Sequence, residues 1–341
     1  MGGPGAPYVE LGGEPLSRQP YAARGARLHG FVFDADESAL ARLLDRHLNA
    51  PRGMGHPPDP RRWGADRLAF ARFVPLAPAV LLLAADLPDL SSLDPAEGLD
   101  RGRVSEIDIG FWVPFAIVRG LGPLRFVEGV GFFVPHLFVD DGWALTAGRE
   151  VDGLHKLIAQ NRLPRSEGDE GLFSVDTVVL DRFGPDERAR PERLVELRRS
   201  GNKARGPLRD EWPSWGRARD EFLRRLLPGG DGHVTLPGLG LAVQALEAFA
   251  RSEGRIVTLK QFRDVADPTR ACYQAICELP ARVGAFRGAG ALGGQYSLTL
   301  RPTASHPLAE ELGLRERQSA RAALWMDLDF TLQAGKVLWQ A

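Results

Sequence analysis

The sequence predicts an α+β fold built on a large antiparallel sheet or barrel with flanking helices. Three observations lead to it. Apolar segments rich in Val, Ile and Phe outnumber the stretches with helical spacing. Strand–helix–strand alternation is absent. Glycine and proline, 39 and 26 of the 341 residues, punctuate the apolar segments in the manner of hairpins. A chain of this length buries roughly three quarters of its unfolded surface, enough for one large core. No internal repeat is present, so residues 1–341 are expected to form a single domain.

Residues 1–25 are rich in Gly and Pro and read as a flexible arm. Leu28–Phe33 reads as a strand, followed by a helix over Ala39–Leu48 that Asp36 or Ser38 caps. Ala69–Ala85 is mostly apolar and predicts one or two buried strands. Val104–Val139 divides into three apolar segments with hairpin spacing. Trp143–Leu157 has helical spacing, interrupted at Gly148 and Gly153. Gly171–Leu180 and Arg193–Arg198 read as a strand pair. Residues 203–254 break the pattern. They hold a charged helix over Arg209–Leu227 and a second over Leu239–Ala250, and are expected to form a helical insertion or lid outside the barrel. Strands resume at Ile256–Phe262, Ala271–Leu279, Val283–Phe286 and Tyr296–Leu300, and Ala323–Gln340 closes the chain as two strands.

Composition excludes several functions. Hydrophobic residues make 44% and charged residues 26%, with a net charge of −1, so the basic footprint of a nucleic-acid binder is missing. The longest apolar run, Leu76–Ala85, is too short to span a bilayer. The N-terminus lacks a secretory pattern, and neither nucleic acid nor membrane is expected as a partner. Cys272 and Cys277 form no disulfide framework, which suits a cytoplasmic location. The histidines lack metal-ligand spacing, and no metal is expected. Gly288–Gly293 fits G-x-G-x-x-G, but a strand follows it where a dinucleotide site needs a helix, so a glycine-rich hairpin is expected. Gly238-Leu239-Gly240 reads as a helix entry.

One feature of the basic residues bears on chemistry. Only four of the 43 are lysines: Lys156, Lys203, Lys260 and Lys336. Arginine stays protonated, whereas lysine can lose its proton and act as a nucleophile. Lys156 closes the stretch Val134–Leu157, VPHLFVDDGWALTAGREVDGLHKL. Within it, Gly148-Arg149-Glu150 is followed by Gly153 and Lys156. Val104-Ser105-Glu106 precedes it on a strand where Glu106 and Asp108 share a face.

This stretch resembles the signature of the acetoacetate decarboxylase superfamily, G-R-E-x-x-G-x-P-K-K, whose first lysine forms a Schiff base. Glu106 falls where the family carries Tyr-x-Glu, and Leu259–Phe262 and the C-terminal LWMDLDFTLQAGKVLW resemble later strands. The resemblance implies a cone-like antiparallel barrel with Lys156 inside. It implies a Schiff-base lyase acting on a small oxo acid, by aldolase–dehydratase or decarboxylase chemistry, without a cofactor because the lysine imine accepts the electrons. Lys156 would be the nucleophile and Glu106 the proton carrier, unless Glu106 is spent in an ion pair with an arginine. Arg149, His155, Phe133 and Leu154 are candidates for substrate contact. Arg149 is either structural or a carboxylate clamp, and His155 either titrates at the site or is structural. A homo-oligomer is expected. Desolvation by Phe133, Leu154 and their neighbours is expected to lower the lysine pKa.

The sequence also departs from the pattern. Leu157 replaces the second lysine and His155 the proline. The second glutamate of the decarboxylases would fall near Leu83, where no acid stands. Slow acetoacetate decarboxylation is therefore expected. A binding protein that keeps the barrel as a pocket for a carbonyl or apolar ligand is the alternative.

Overall fold

A computed structural model describes residues 7–9, 16, 18–53, 68, 70–95, 101–121, 124–164, 171–200, 211–227 and 254–341. Its main feature is a ten-stranded sheet that curls back on itself. The strands are β1 (Tyr21–Asp34), β2 (Ala71–Pro75), β3 (Ala79–Ser92), β4 (Val104–Leu121), β5 (Leu124–Val139), β6 (Lys156–Ile158), β10 (Arg255–Arg263), β11 (Ala271–Ala291), β14 (Ala322–Leu332) and β15 (Lys336–Gln340). The order β4-β3-β1-β14-β11-β10-β5 is closed by pairing of β4 with β5. All these contacts are antiparallel except β10–β5, and β6 adds in parallel to the edge of β5. A five-stranded sheet lies outside the ring: β7 (Gln160–Arg162), β8 (Leu172–Val179), β9 (Arg190–Ser200), β12 (Gln295–Leu300) and β13 (Arg317–Ser319).

Two apolar layers explain why few strands alternate cleanly between apolar and polar residues. On β1, Phe31 and Phe33 face outward into the main core with Phe173, Val175, Leu197 and Leu298 of the second sheet. Leu28 and Gly30 face the interior of the ring. On β4, Ile109, Phe111, Val113 and Phe115 face outward, and Glu106, Asp108 and Trp112 inward. A strand covered on both faces reads as a continuous apolar run. Helix α1 (Glu37–Leu44) and helix α4 (Leu308–Leu312) cover the outer core through Leu40, Leu44, Leu308 and Leu312. Asp36 caps α1, accepting from the backbone N–H of Ser38 at 3.0 Å.

The elements differ from the sequence reading in four places. Strand β1 begins at Tyr21, within the expected arm, because Ala22, Ala23 and Ala26 are buried against neighbouring strands. The last two apolar segments before Val139 form one strand, β5, because Pro135 falls where the β4–β5 register shifts and needs no ladder N–H. The expected helix over Trp143–Leu157 is broken. Helix α2 (Gly142–Ala147) passes into a π-helical turn over Gly148–Asp152, which ends at Gly153 in the left-handed region (φ 71°). The glycine-rich stretch from Gly288 is the end of β11, and the chain then crosses to β12 in the other sheet instead of turning back as a hairpin.

The insertion is placed differently from the expectation. Helix α3 (Trp215–Leu226) sits in one mouth of the ring rather than outside it. Its buried face, Ala218, Leu223 and Leu226, packs with Val32 and Leu81, with Ala116 and Val130, and with Leu324 and Met326. These partners lie on β1, β3, β4, β5 and β14. Apolar residues spaced by three and four aim that face inward, and arginines cover the other. The second helix expected over Leu239–Ala250 and the Gly238-Leu239-Gly240 motif lie outside the described residues. Cys272 and Cys277 fall on opposite faces of β11, one exposed and one buried, both free. Among the described residues, no helix is long and apolar enough to cross a membrane.

The seam between ring and second sheet depends on Phe31, which is fully buried and meets Phe173 edge-on at 5.0 Å and Tyr296 at 4.8 Å. Phe31→Ala is expected to cost about 3–5 kcal/mol, the usual cost of such a cavity. Urea unfolding measures this; a loss under about 1 kcal/mol would show that the seam closes up around the gap.

Candidate active site

Lys156 reaches the interior through a gap in the ring. Strand β5 pairs with β10 only at Phe132 and Phe133, and beyond them β6 takes the β5 edge, with Leu137 opposite Lys156. The turn before β6 is shaped to admit the side chain. A Cβ on Gly148 would stand 2.5 Å from Lys156 Cδ, and one on Gly153 would stand 2.5 Å from Lys260 Cβ. The two glycines of G-R-E-x-x-G thus have separate reasons: one makes room for the lysine stem, the other supplies a left-handed turn against β10. Arg149 Nη1 donates to the carbonyl oxygen of Lys156 at 3.0 Å and holds the strand in place.

Inside the ring, Lys156 Nζ donates to Glu106 Oε1 at 2.5 Å. Lys156 is 7% exposed and Glu106 3%. Asp108, one strand repeat further along β4, and Asp152, from the π-helical turn, line the same cavity. Asp152 accepts a hydrogen bond from Gln19, whose own Oε1 accepts from the Gly335 N–H at 2.6 Å. Asp108 Oδ1 and the Trp112 indole N–H are sealed from solvent without a hydrogen-bond partner. The cavity measures about 330 Å³, and apart from this cluster its walls are almost wholly apolar.

Three carboxyls around one ammonium set the electrostatics. Burial pushes Asp108 well above the ordinary carboxylate range, and the neighbouring charge of Glu106 adds to this. Burial raises Asp152 to about 7, with Lys156 and Gln19 holding it down. Burial pulls the pKa of Lys156 down, but the charges of Asp108 and Glu106 and the hydrogen bond to Glu106 outweigh it, so its pKa lies above the ordinary value. This corrects the expectation that desolvation lowers it: the apolar walls are present, but the carboxyls decide the sign. The resting lysine is an ammonium beside a proton acceptor.

The other sequence-derived candidates are divided by the sheet. Leu154 lines this cavity. It also borders an open groove of about 740 Å³ on the outer side of the sheet, where Phe133, Arg149 and His155 lie with His47. His155 Nδ1 is 2.8 Å from the Pro135 carbonyl oxygen, and burial lowers its pKa. The structure therefore brings Lys156, Glu106 and Leu154 together and leaves Arg149, His155 and Phe133 on the far side; the adjacent His155 and Lys156 point to opposite faces where the chain extends into β6. Among the described residues Glu106 pairs with Lys156 and with no arginine. Leu83 does line the cavity and carries no acid there; Asp108 and Asp152 are the further carboxyls at the site. Asp108 shares a face with Glu106, a signal visible in the alternation of SEIDI. Asp152 carried no signal, since only the π-helical turn aims it inward. Among the described residues, no group of three or more His, Cys, Asp or Glu is placed to hold a metal ion.

Two outcomes follow from this geometry. Gly148→Ala is expected to leave the fold intact and displace the lysine stem, lowering the reactivity of Lys156 toward carbonyl reagents at least tenfold; unchanged labelling would show that the stem has room to move. Asp152 titrates at about 7 when folded and near the ordinary 3.8 when unfolded. Between these values the folded chain holds a proton that the unfolded chain has lost, so stability falls as pH rises from about 4 to about 7. Asp152→Asn is expected to flatten this fall, as measured by urea midpoints at pH 5 and pH 8.

No protein-family model matches the chain, and no curated protein matches it either. Solved structures do. Acetoacetate decarboxylase from Legionella pneumophila subsp. pneumophila str. Philadelphia 1 aligns over 100% of this chain and 94% of its own, with a TM-score of 0.55 and 16% identity. A second acetoacetate decarboxylase structure aligns over 97% and 93%, with a TM-score of 0.52 and 15% identity. The enduracididine biosynthesis enzyme MppR aligns over 99% and 98%, with a TM-score of 0.52 and 13% identity. This likeness shows that the chain has the acetoacetate decarboxylase-like fold.

Proposed function

We propose that this protein is a Schiff-base-forming lyase that acts on an oxo acid through Lys156. The observation that carries the reading is the buried Lys156–Glu106 contact at 2.5 Å inside an apolar cavity. Glu106 takes a proton from the ammonium, and the freed amine adds to the substrate carbonyl carbon. The carbinolamine then loses its hydroxyl as water, protonated by Glu106 or by the acid form of Asp108, and leaves an iminium on Lys156. The iminium draws electrons from an adjacent bond, so that carbon dioxide or a proton departs and a second carbonyl compound can add. The apolar walls keep bulk water from the iminium. The fold is shared with acetoacetate decarboxylase and with MppR, one structure of which is described as complexed with pyruvate. Three carboxyls at the site, where the sequence reading counted one, leave both decarboxylation and aldol–dehydration open to this cluster. The reading includes a cytoplasmic location and a homo-oligomer; sedimentation of the purified chain tests the oligomer, and cell fractionation the location.

Cyanoborohydride trapping is the direct test. Incubation with a panel of oxo acids is expected to add the reduced substrate mass to Lys156 alone, with Lys156→Ala unlabelled. Peptide mapping assigns the site among four lysines. Glu106→Gln is expected to slow labelling by roughly 10²–10⁴-fold, the usual contribution of a positioned proton carrier. Release of carbon dioxide from acetoacetate in the same assays separates the two reaction types. The resting protonation of Lys156 and the apolar cavity favour one second reading, a carbonyl- or apolar-ligand-binding protein. Binding of oxo acids without any trapped adduct would select it.

A further inference from the structure

We propose that the substrate is an oxo acid with an extended apolar or aryl body, its carbonyl at Lys156 and its tail lying along the ring interior against α3. This rests on the Schiff-base reading and departs from the small oxo acid that the motif alone implies. The first reason is size. The cavity of about 330 Å³ is roughly eleven times the ~30 Å³ that a water molecule occupies. A three-carbon oxo acid would leave most of it empty or wet against apolar walls.

The second reason is the polarity of its two ends. One end holds Glu106, Asp108, Asp152 and Lys156, enclosed by Ala144, Ala147 and Gly148 of the α2 segment. The opposite end is formed by Trp215 and Phe222 of α3, and Leu28, Leu83 and Leu328 line the walls. Phe222 packs at once with β5 through Phe132, with the β1–β3 side and with the β14–β11 side, so the helix closes this end. Among the described residues, Arg255 is the other charged residue at the wall, and its guanidinium faces Glu278 at 3.4 Å. The remaining described wall residues between the two ends carry no charge to answer one on the tail. The third reason is that the unpartnered polar atoms stand on the β4 wall that carries Glu106. Asp108 Oδ1 and Trp112 Nε1 lack partners, and Trp112 Nε1 lies 3.3 Å from where a Gly110 Cβ would stand. The Trp112 indole N–H, and Asp108 in its acid form, can each donate to an oxygen of a carboxyl head, which leaves the tail to the leucines. The helix of the insertion is then the element that sets chain length.

The test is a chain-length series on the intact protein: pyruvate, 2-oxohexanoate, 2-oxooctanoate, 2-oxodecanoate and phenylpyruvate, each trapped with cyanoborohydride and read by intact mass. The half-saturating concentration is expected to fall about fourfold per buried methylene and then to stop falling where the tail meets Phe222. Phe222→Ala is expected to move that break to longer chains. Leu83→Trp fills the chamber from β3 and is expected to bring the ratio of long-chain to pyruvate labelling close to one. A flat series, or a preference for pyruvate in the unaltered protein, overturns the proposal while the Schiff-base reading stands. If no acid is trapped, quenching of tryptophan fluorescence decides. Length-dependent binding without labelling keeps the chamber assignment and sinks the imine; absence of binding sinks both.

Discussion

The Lys156–Glu106 ion pair is the constraint around which the ring is arranged. Both groups are nearly sealed from water, and an ion pair there gains enough to offset its desolvation only if its geometry is close and held in place. The surrounding structure meets that demand in several ways. Gly148 clears space for the lysine stem. Arg149 fixes the backbone of Lys156 from behind. Gln19 ties Asp152 to the β14–β15 turn at Gly335. Removing either partner would leave a buried charge uncompensated, which is a larger penalty than the pair itself contributes. The same crowding of acids makes the lysine a protonated group beside its own acceptor, so that proton transfer needs no diffusion.

The ring can tolerate such a cluster because its apolar stabilisation lies elsewhere. The main core is outside, between the convex face of the ring and the second sheet, where Phe31, Phe111, Phe173 and Leu298 pack. The interior is consequently free to hold a cavity and four ionisable groups without emptying the core that holds the sheets together. Helix α3 completes the enclosure. Its arginine-rich outer face is tied by Arg217, Arg224 and Arg225 to the single buried acid Glu221, while its apolar face enters the ring mouth. Hydrogen bonds from Arg224 and Arg225 hold the Glu221 carboxyl below its ordinary range, and the apolar face seats the helix in the ring mouth.

The outer groove shows how a compact motif can serve two surfaces. Of three consecutive residues, Leu154 borders both the cavity and the groove, His155 faces the groove and Lys156 the cavity. His155 sits by His136, ring centres 6.0 Å apart, and His136 Nε2 lies 2.8 Å from Glu311 Oε2. Burial and the neighbouring positive groups hold His155 toward its neutral form. Its nearness in sequence to the lysine therefore says little about the chemistry at the ring interior.

Several features were legible in the chain by itself. The spacing of GREVDGLHK singled out the lysine through its resemblance to a family signature, and the structure supplies the reason for the glycines: Gly148 leaves room for the lysine stem and Gly153 takes the left-handed turn. The period of two in SEIDI put Glu106 and Asp108 on one face, because strand side chains alternate. Dense Val, Ile and Phe with Gly and Pro breaks signalled a large sheet, and the charged face of Arg209–Leu227 signalled a helix. Other features belong to the tertiary structure. Strands apolar on both sides carry no alternation, so the boundaries within Val104–Val139 and the split of β11 from β12 between two sheets could not be read locally. Asp152 enters the cavity through a π-helical turn that no periodicity describes. The direction of the Lys156 pKa depends on three carboxyls drawn from two distant segments. Whether α3 hangs outside or fills the mouth of the ring depends on which apolar surfaces remain uncovered once β1, β3, β4, β5 and β14 have closed. Local pattern decided which residues make strands and turns and singled out Lys156; long-range closure decided what surrounds that lysine, because burial and charge at one point are sums over segments that sequence neighbours do not contain.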